Sequence, residues 1–162
     1  MSFINWLRSI ICEPCSLPEY KVYSIPYSDL ANYLQGNGLI NMVKSEYHPD
    51  NRVYFTSKEG WISLIPYLTF SAEVYADSER RDCDDYSKKA SAEGAFKFGL
   101  EVIQVWGDTP LGPHAFNLVI YLDETDNFGC SLFEPNAGFE CAGELLVFNN
   151  NSYGWIAKSW KP

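Results

Sequence analysis

The stretch DCDDYSKKASAEGAFKFG, residues 82–99, has the features of an α-helix that packs closely against another element. Asp82 suits the N-cap, acidic residues follow in the first turn, and Gly99 is a typical C-terminal stop. The middle of the stretch carries four small residues that let a helix approach a sheet closely: Ala90, Ala92, Gly94 and Ala95. We therefore predict a helix from residue 82 onward that lies on a sheet.

The chain after this helix changes from helical to strand periodicity. Apolar side chains and one histidine alternate in HAFNLVIYL and share one face of a predicted strand: His114, Phe116, Leu118, Ile120 and Leu122. A loop is predicted at 107–113 and a turn in DETDNFG at 123–129, and further strands at 100–106, 130–136, 144–150 and 152–160. Helices followed by an antiparallel sheet are typical of an α+β domain.

The chain before residue 82 carries weaker helix and strand patterns. We predict a short helix at 3–11, a helix from Ser28 or Asp29 to Gly36, a strand at 52–57 and a helix at 57–70 that Pro66 interrupts. The interpretation of the whole chain is one domain over residues 1–162. In it, 1–60 form a helical covering segment and 61–162 form the core of catalytic type.

Composition excludes several classes of protein. The chain has 162 residues, of which 46% are hydrophobic and 16% aromatic, which is too apolar for general disorder. A formal charge of −9 argues against a nucleic-acid partner, because phosphate contacts need clustered Lys and Arg. The N-terminal apolar stretch is interrupted by Asn5 and Arg8, which suits neither a membrane span nor a signal peptide. We expect no membrane partner and, by default, a cytoplasmic location.

Three residues have the order that a cysteine hydrolase needs. Cys83 lies in the first turn of the predicted helix, where free N–H groups and the helix dipole stabilise a thiolate. His114 opens a strand, and Glu134 and Asn136 project to the same face of the next strand. The hairpin around Thr125 can pair residues whose numbers add to an even or to an odd value. If the sum is even, His114 faces Glu134 or Asn136, and one of them orients the imidazole.

Each of these residues also has an ordinary structural interpretation. A cysteine near a helix start is often a small buried residue, and a histidine on an apolar face is often a hydrogen-bonded core residue. Glu134 within FEPN can equally end a strand. The other histidine, His48, lies in the turn-like EYHPDN, so His114 is the better candidate base. The ordered set of helix cysteine, strand histidine and strand glutamate favours the catalytic interpretation.

Taken in this order, the cysteine of DCDDY, HAFN on a strand and FEPN on its partner resemble the papain-like and transglutaminase-like cysteine peptidase superfamily. Within it, the motifs are most similar to the calcium-dependent protease domain of a fairy-ring mushroom lectin, over about residues 60–140. The resemblance implies Cys83 as nucleophile, His114 as general base and then acid, and Glu134 as orienting residue, with Asn136 as the alternative. It implies amide hydrolysis of a peptide or amide substrate through a thioester.

The acidic residues beside Cys83 have two interpretations. By the same resemblance, Asp84 and Asp85 bind Ca²⁺, a hard cation that prefers carboxylate oxygen, and thereby neutralise charge beside the nucleophile. Alternatively, Asp82 and Asp85 cap the first turn of the helix, with Arg80 and Arg81 as partners.

Three further interpretations stay open. The chain can be a non-catalytic structural or interaction module on the same fold, since a fold does not establish chemistry. It can also be a peptidoglycan amidase, which uses the same Cys–His pair. The third is a four-cysteine zinc site formed by Cys12, Cys15, Cys130 and Cys141, although ten residues separate Cys130 from Cys141.

Overall fold

A computed structural model describes residues 17–42, 51–74 and 82–161 of the chain. Several sequence-based predictions lie outside these ranges and are not tested by the structure. They are the helix at 3–11, the solvated loop around His48, the zinc ligands Cys12 and Cys15, and the capping partners Arg80 and Arg81.

Three α-helices form within the described ranges: α1 (Tyr27–Gly36), α2 (Lys58–Leu64) and α3 (Cys83–Glu93). The 3₁₀ turn Ile65–Leu68 continues α2, as expected for a helix that meets Pro66. Helix α3 passes into a π-turn at Gly94–Phe98 and stops at Gly99, whose φ of 63° is the left-handed conformation that glycine adopts without strain. The predicted bounds of the cysteine-bearing helix are therefore confirmed.

Helix α1 begins differently from the prediction. Tyr27 is its first residue, and Pro26 precedes it with no side-chain cap. Ser28 and Asp29 thus lie inside the first turn, so the prediction that one of them caps the helix is wrong. The fixed φ of proline sets the entry to the helix in place of a capping side chain.

The strands are β1 (Tyr23–Pro26), β2 (Ile40–Asn41), β3 (Arg52–Ser57), β4 (Ile103–Thr109), β5 (Gly112–Leu122), β6 (Phe128–Phe133), β7 (Leu146–Val147) and β8 (Ile156–Lys161). Their order in the sheet is β1-β3-β5-β4-β8-β2, and β6 pairs with both β5 and β7. The pairs β3–β5 and β2–β8 are parallel and all the others antiparallel. The sheet is therefore mixed, which corrects the antiparallel prediction.

The parallel pair brings the chain before residue 60 next to the central strand of the sheet. Strand β3 lies beside the central strand β5, and its side chains Val53 and Phe55 are buried in the core. Residue 60 falls inside α2. The described part of 1–60 is thus integral to the sheet, because a long helical crossover between β3 and β5 allows parallel pairing.

Strand β5 separates two apolar clusters and carries the predicted histidine. Phe116 and Leu118 belong to one cluster with α1, whereas Val119 belongs to the other with α2 and α3. This alternation matches the predicted face. Strands β4 and β5 meet in a tight turn at Pro110 and Leu111, in place of the predicted loop 107–113.

Within the described residues, no helix combines the length and the apolar composition that crossing a membrane requires.

Candidate active site

Cys83 is the first residue of α3, and the cap that precedes it is formed by Asp82. The Asp82 carboxylate accepts a hydrogen bond from the backbone N–H of Asp84 at 3.3 Å, as the sequence predicts. Cys83 is partly exposed, and its thiol interacts with the His114 side chain and with the backbone of Ala115. The His114 contact lowers the pKa of Cys83, and it outweighs the opposing effects of burial and of the Asp82 charge.

His114 joins the sulfur to a buried carboxylate. Its Nε2 lies 2.9 Å from Glu134 Oε2, and its side chain is only 9% exposed. Burial by itself lowers the pKa of His114, but its interactions with Cys83 and Glu134 outweigh burial and raise the pKa to about 9. The two shifts act in the same sense, because each favours a thiolate beside an imidazolium.

Glu134 is completely buried and has one donor for each carboxylate oxygen. Oε2 contacts the imidazole, and Oε1 accepts from the backbone N–H of Asn136 at 2.7 Å. Burial raises the pKa of Glu134, while the two hydrogen bonds lower it and leave a net rise. The β5–β6 ladder pairs Asn117 with Phe133, so the numbers of paired residues add to an even value. This is the register in which Glu134 and Asn136 lie on the face of His114.

Of the two candidate orienting residues, Glu134 is the one whose side chain is hydrogen-bonded to the imidazole within the described residues. The Oδ1 of Asn136 accepts a hydrogen bond from Gly138 N–H at 2.9 Å, and the Asn136 side chain is nearly buried. Phe70 holds the same segment through its N–H to Pro135 O at 2.7 Å and through its carbonyl to Ala137 N–H at 2.9 Å. Asn136 therefore contributes its backbone N–H, which fixes the Glu134 carboxylate.

Three aromatic rings surround the imidazole. The ring centroids of Phe139, Trp155 and Phe116 lie 4.8, 5.2 and 6.2 Å from that of His114. Only Phe116 belongs to the alternating pattern of β5, so no sequence pattern indicates the other two. Trp61, another large aromatic side chain, is fully buried away from this group and donates its indole N–H to Ile120 O.

A reciprocal pair of hydrogen bonds ties the cysteine helix to the histidine strand. Ser87 Oγ on α3 donates to Phe116 O at 2.9 Å, and Asn117 Nδ2 on β5 donates to Ser87 O at 3.1 Å. Ser87 and Asn117 are both completely buried. Because buried polar contacts of this kind are costly to break, they hold α3 at a fixed position relative to His114. Sequence patterns did not identify either residue.

The acidic residues beside Cys83 form the one cluster with metal-ligand potential in the described ranges. Oxygens of Asp82, Asp84 and Asp85 all lie within 4.8 Å of one another. The Lys88 ammonium contacts both Asp84 and Asp85 and, together with the Asp82 side chain, lowers the pKa of Asp84. The oxygen set suits a hard cation such as Ca²⁺, with Lys88 as the group that the cation would displace.

Over the described residues the arrangement is a mixed α/β fold with three α-helices, consistent with the predicted α+β class. Among solved structures, it is similar to the "PSL1a-E64 complex", with a TM-score of 0.58 and 18% sequence identity. The similarity covers 85% of this chain and 50% of the other, so this chain spans about half the length of that neighbour. No protein-family profile and no curated protein matches the sequence.

Proposed function

We propose that this protein is a papain-like cysteine hydrolase that cleaves amide bonds in peptide or amide substrates. The observation that carries the proposal is the single imidazole that is hydrogen-bonded to the buried Glu134 and interacts with the Cys83 thiol. A nucleophile, a base and an orienting group in this order are the requirement for thiol-based acyl transfer. The E64 complex of the structural neighbour supports the same chemistry, because E64 is an electrophile that reacts with cysteine thiols.

The reaction would proceed in two acyl-transfer steps. The Cys83 thiolate attacks the amide carbonyl carbon, and the backbone N–H groups of the first turn of α3 stabilise the oxyanion. The C–N bond breaks as the His114 imidazolium protonates the leaving amine, which leaves a thioester on Cys83. A water molecule then gives a proton to His114 and attacks the thioester, which releases the carboxylic acid and restores the Cys83 thiolate beside the His114 imidazolium.

The role of Glu134 in these steps is to orient and stabilise. Its carboxylate holds Nε2 of His114, so the ring nitrogen available to the sulfur is Nδ1. The same carboxylate stabilises the imidazolium that exists before the attack. Peptidases and peptidoglycan amidases share these steps, so a panel of peptide and muropeptide substrates is the measurement that separates the two.

The test of the proposed function is thiol reactivity. We expect iodoacetamide, followed by mass mapping, to label Cys83 well before Cys130 and Cys141 at neutral pH. Both of the latter are buried, and burial raises their pKa, to about 11 for Cys141. An E64-type epoxide should modify Cys83 in the wild type and leave a His114→Phe variant unmodified. If Cys83 reacts no faster than the other two cysteines, the non-catalytic module becomes the better interpretation.

We further propose that Ca²⁺ binds the carboxylates of Asp82, Asp84 and Asp85 and increases the reactivity of Cys83. The negative charge of Asp82 raises the pKa of Cys83, so a cation that neutralises it would favour the thiolate. Calorimetry with Ca²⁺ should show binding to the wild type that is lost in Asp84→Asn and retained in Glu124→Gln, which alters an exposed turn. The absence of binding, or binding unchanged in Asp84→Asn, refutes this proposal and leaves the carboxylates as helix caps and Lys88 partners.

A further inference from the structure

A cavity of about 220 Å³ opens beside the aromatic wall of the site. It lies between the β4–β5 turn and the segment that leads into β8, and its principal lining is apolar or aromatic: Pro110, Leu111, Phe139, Cys141, Tyr153 and Trp155. Leu111 stands at its outer edge with 85% of its surface exposed, whereas Trp155 is buried. The sequence patterns did not identify this cavity, because its walls come from separate parts of the chain.

The cavity shares two walls with the imidazole. Phe139 and Trp155 both line it and both pack against the His114 ring, at 4.8 and 5.2 Å between centroids. His114 is the group that would protonate the leaving amine, so the part of a substrate beyond the scissile nitrogen lies on the His114 side of the sulfur. The cavity therefore adjoins the leaving-group half of the site.

We infer that this cavity binds the apolar side chain of the residue that supplies the leaving amine. The inference rests on the proposed amide hydrolysis and specifies its substrate class: peptides in which leucine, phenylalanine or a residue of similar size follows the scissile bond. The volume is below the roughly 300–1,000 Å³ of sites that accept whole small molecules, which suits a single side chain. Glu140, an exposed carboxylate in the lining, disfavours an acidic side chain there.

The kinetic test compares quenched fluorogenic peptides that differ only in the residue after the scissile bond. We expect kcat/KM for leucine or phenylalanine to exceed that for glycine by about tenfold or more, and aspartate to be poorest. Leu111→Ser removes one wall and should reduce this preference to a few-fold. The matched control is Phe96→Ser, since Phe96 is 92% exposed and lies outside the cavity.

A binding test separates this inference from the proposed function. Leucinamide and glycinamide, which mimic the leaving amine, are titrated while the indole N–H signal of Trp155 is followed by NMR, assigned with Trp155→Phe. Leucinamide should shift the signal, glycinamide should leave it unchanged, and Leu111→Ser should weaken the leucinamide effect. This pattern of NMR shifts supports the apolar subsite even if no peptide is cleaved. The absence of cleavage would refute only the proposed hydrolysis.

Two outcomes overturn the inference. The first is peptide cleavage without preference at the leaving residue, together with a Trp155 signal that no amide shifts, and this outcome leaves the hydrolase function intact. The second is an equal response of Trp155 to leucinamide and glycinamide, which would show that the cavity does not recognise an apolar side chain.

Discussion

Glu134→Gln is the substitution that tests the site most directly, because it keeps the shape of the side chain and removes the charge. The carboxylate has two oxygens and two donors: His114 Nε2 at 2.9 Å and the Asn136 N–H at 2.7 Å. A carboxamide has only one oxygen and accepts from only one of them. The other donor would face an NH₂ group inside a fully buried site, which costs about 1–3 kcal/mol.

The magnitude of the effect follows from the titration of His114. The rise in its pKa from 6.5 to about 9 corresponds to about 3 kcal/mol in favour of the imidazolium, at about 1.4 kcal/mol per unit. The Cys83 thiolate and the Glu134 carboxylate share this stabilisation. Loss of the carboxylate charge should therefore lower the pKa of His114 by about one unit or more. The pKa of Cys83 should rise in response, because the imidazolium that stabilises its thiolate is populated less.

Two assays measure these changes. The chain has only two histidines, so NMR titration of the ring protons resolves His114 once His48→Asn assigns the other signal. The pH dependence of iodoacetamide alkylation at Cys83 reports the thiolate, and we expect slower alkylation of Glu134→Gln at pH 7. Glu124→Gln, in the exposed β5–β6 turn, is the charge-matched control. An unchanged His114 titration in Glu134→Gln would refute the assignment of Glu134 as the group that stabilises the imidazolium.

Three further predictions concern pH, the helix–strand contact and the sheet. The His114 pKa is raised on folding, so its contribution to the unfolding free energy should be complete below pH 6.5 and lost as the pH rises through about 9. Urea unfolding measured across this pH range checks the prediction, and a free energy that does not change with pH contradicts it. Asn117→Leu should cost about 1 kcal/mol in urea unfolding, because the buried hydrogen bond from β5 to Ser87 O is lost while Ser91 Oγ still donates to that oxygen. The same substitution should raise the pH at which Cys83 becomes alkylated, and lower stability with an unchanged alkylation profile would limit Asn117 to a structural role. Gly107→Ala should destabilise the fold by about 1–3 kcal/mol or more, since the added Cβ would lie 1.9 Å from a backbone carbonyl oxygen of β8. Gly36→Ala is the control and should be tolerated, because the space around Gly36 is open. Equal stabilities of the two variants in thermal unfolding would contradict the prediction.

Local patterns in the sequence predict the elements that carry the site. The helix from residue 82 follows from the Asp82 cap, the small residues and Gly99, all of which act within one or two turns of the chain. The alternation in β5 places His114 on the face of Phe116 and Leu118, because successive side chains of a strand point to opposite sides. Such signals depend on neighbours in sequence and can be recognised without the rest of the fold.

The choice between Glu134 and Asn136 required the tertiary structure. Both residues lie on the same face of the chain, and the even register admits either of them opposite His114. The decision depends on Gly138, which engages the Asn136 amide, and on Phe70, which holds the strand end. These contacts join residues that no short pattern connects, so strand periodicity could not separate the two candidates.

The sequence by itself determined which residues can supply the chemistry: a thiol at a helix start, an imidazole on a strand and a carboxylate on the next strand. The tertiary structure alone decided that β3 lies parallel to β5, that Phe139 and Trp155 enclose the imidazole, and that a cavity adjoins them. Those features arise from packing between distant parts of the chain, where shape and burial select the partners. Local propensity carries no record of that selection, because it describes only neighbours along the chain.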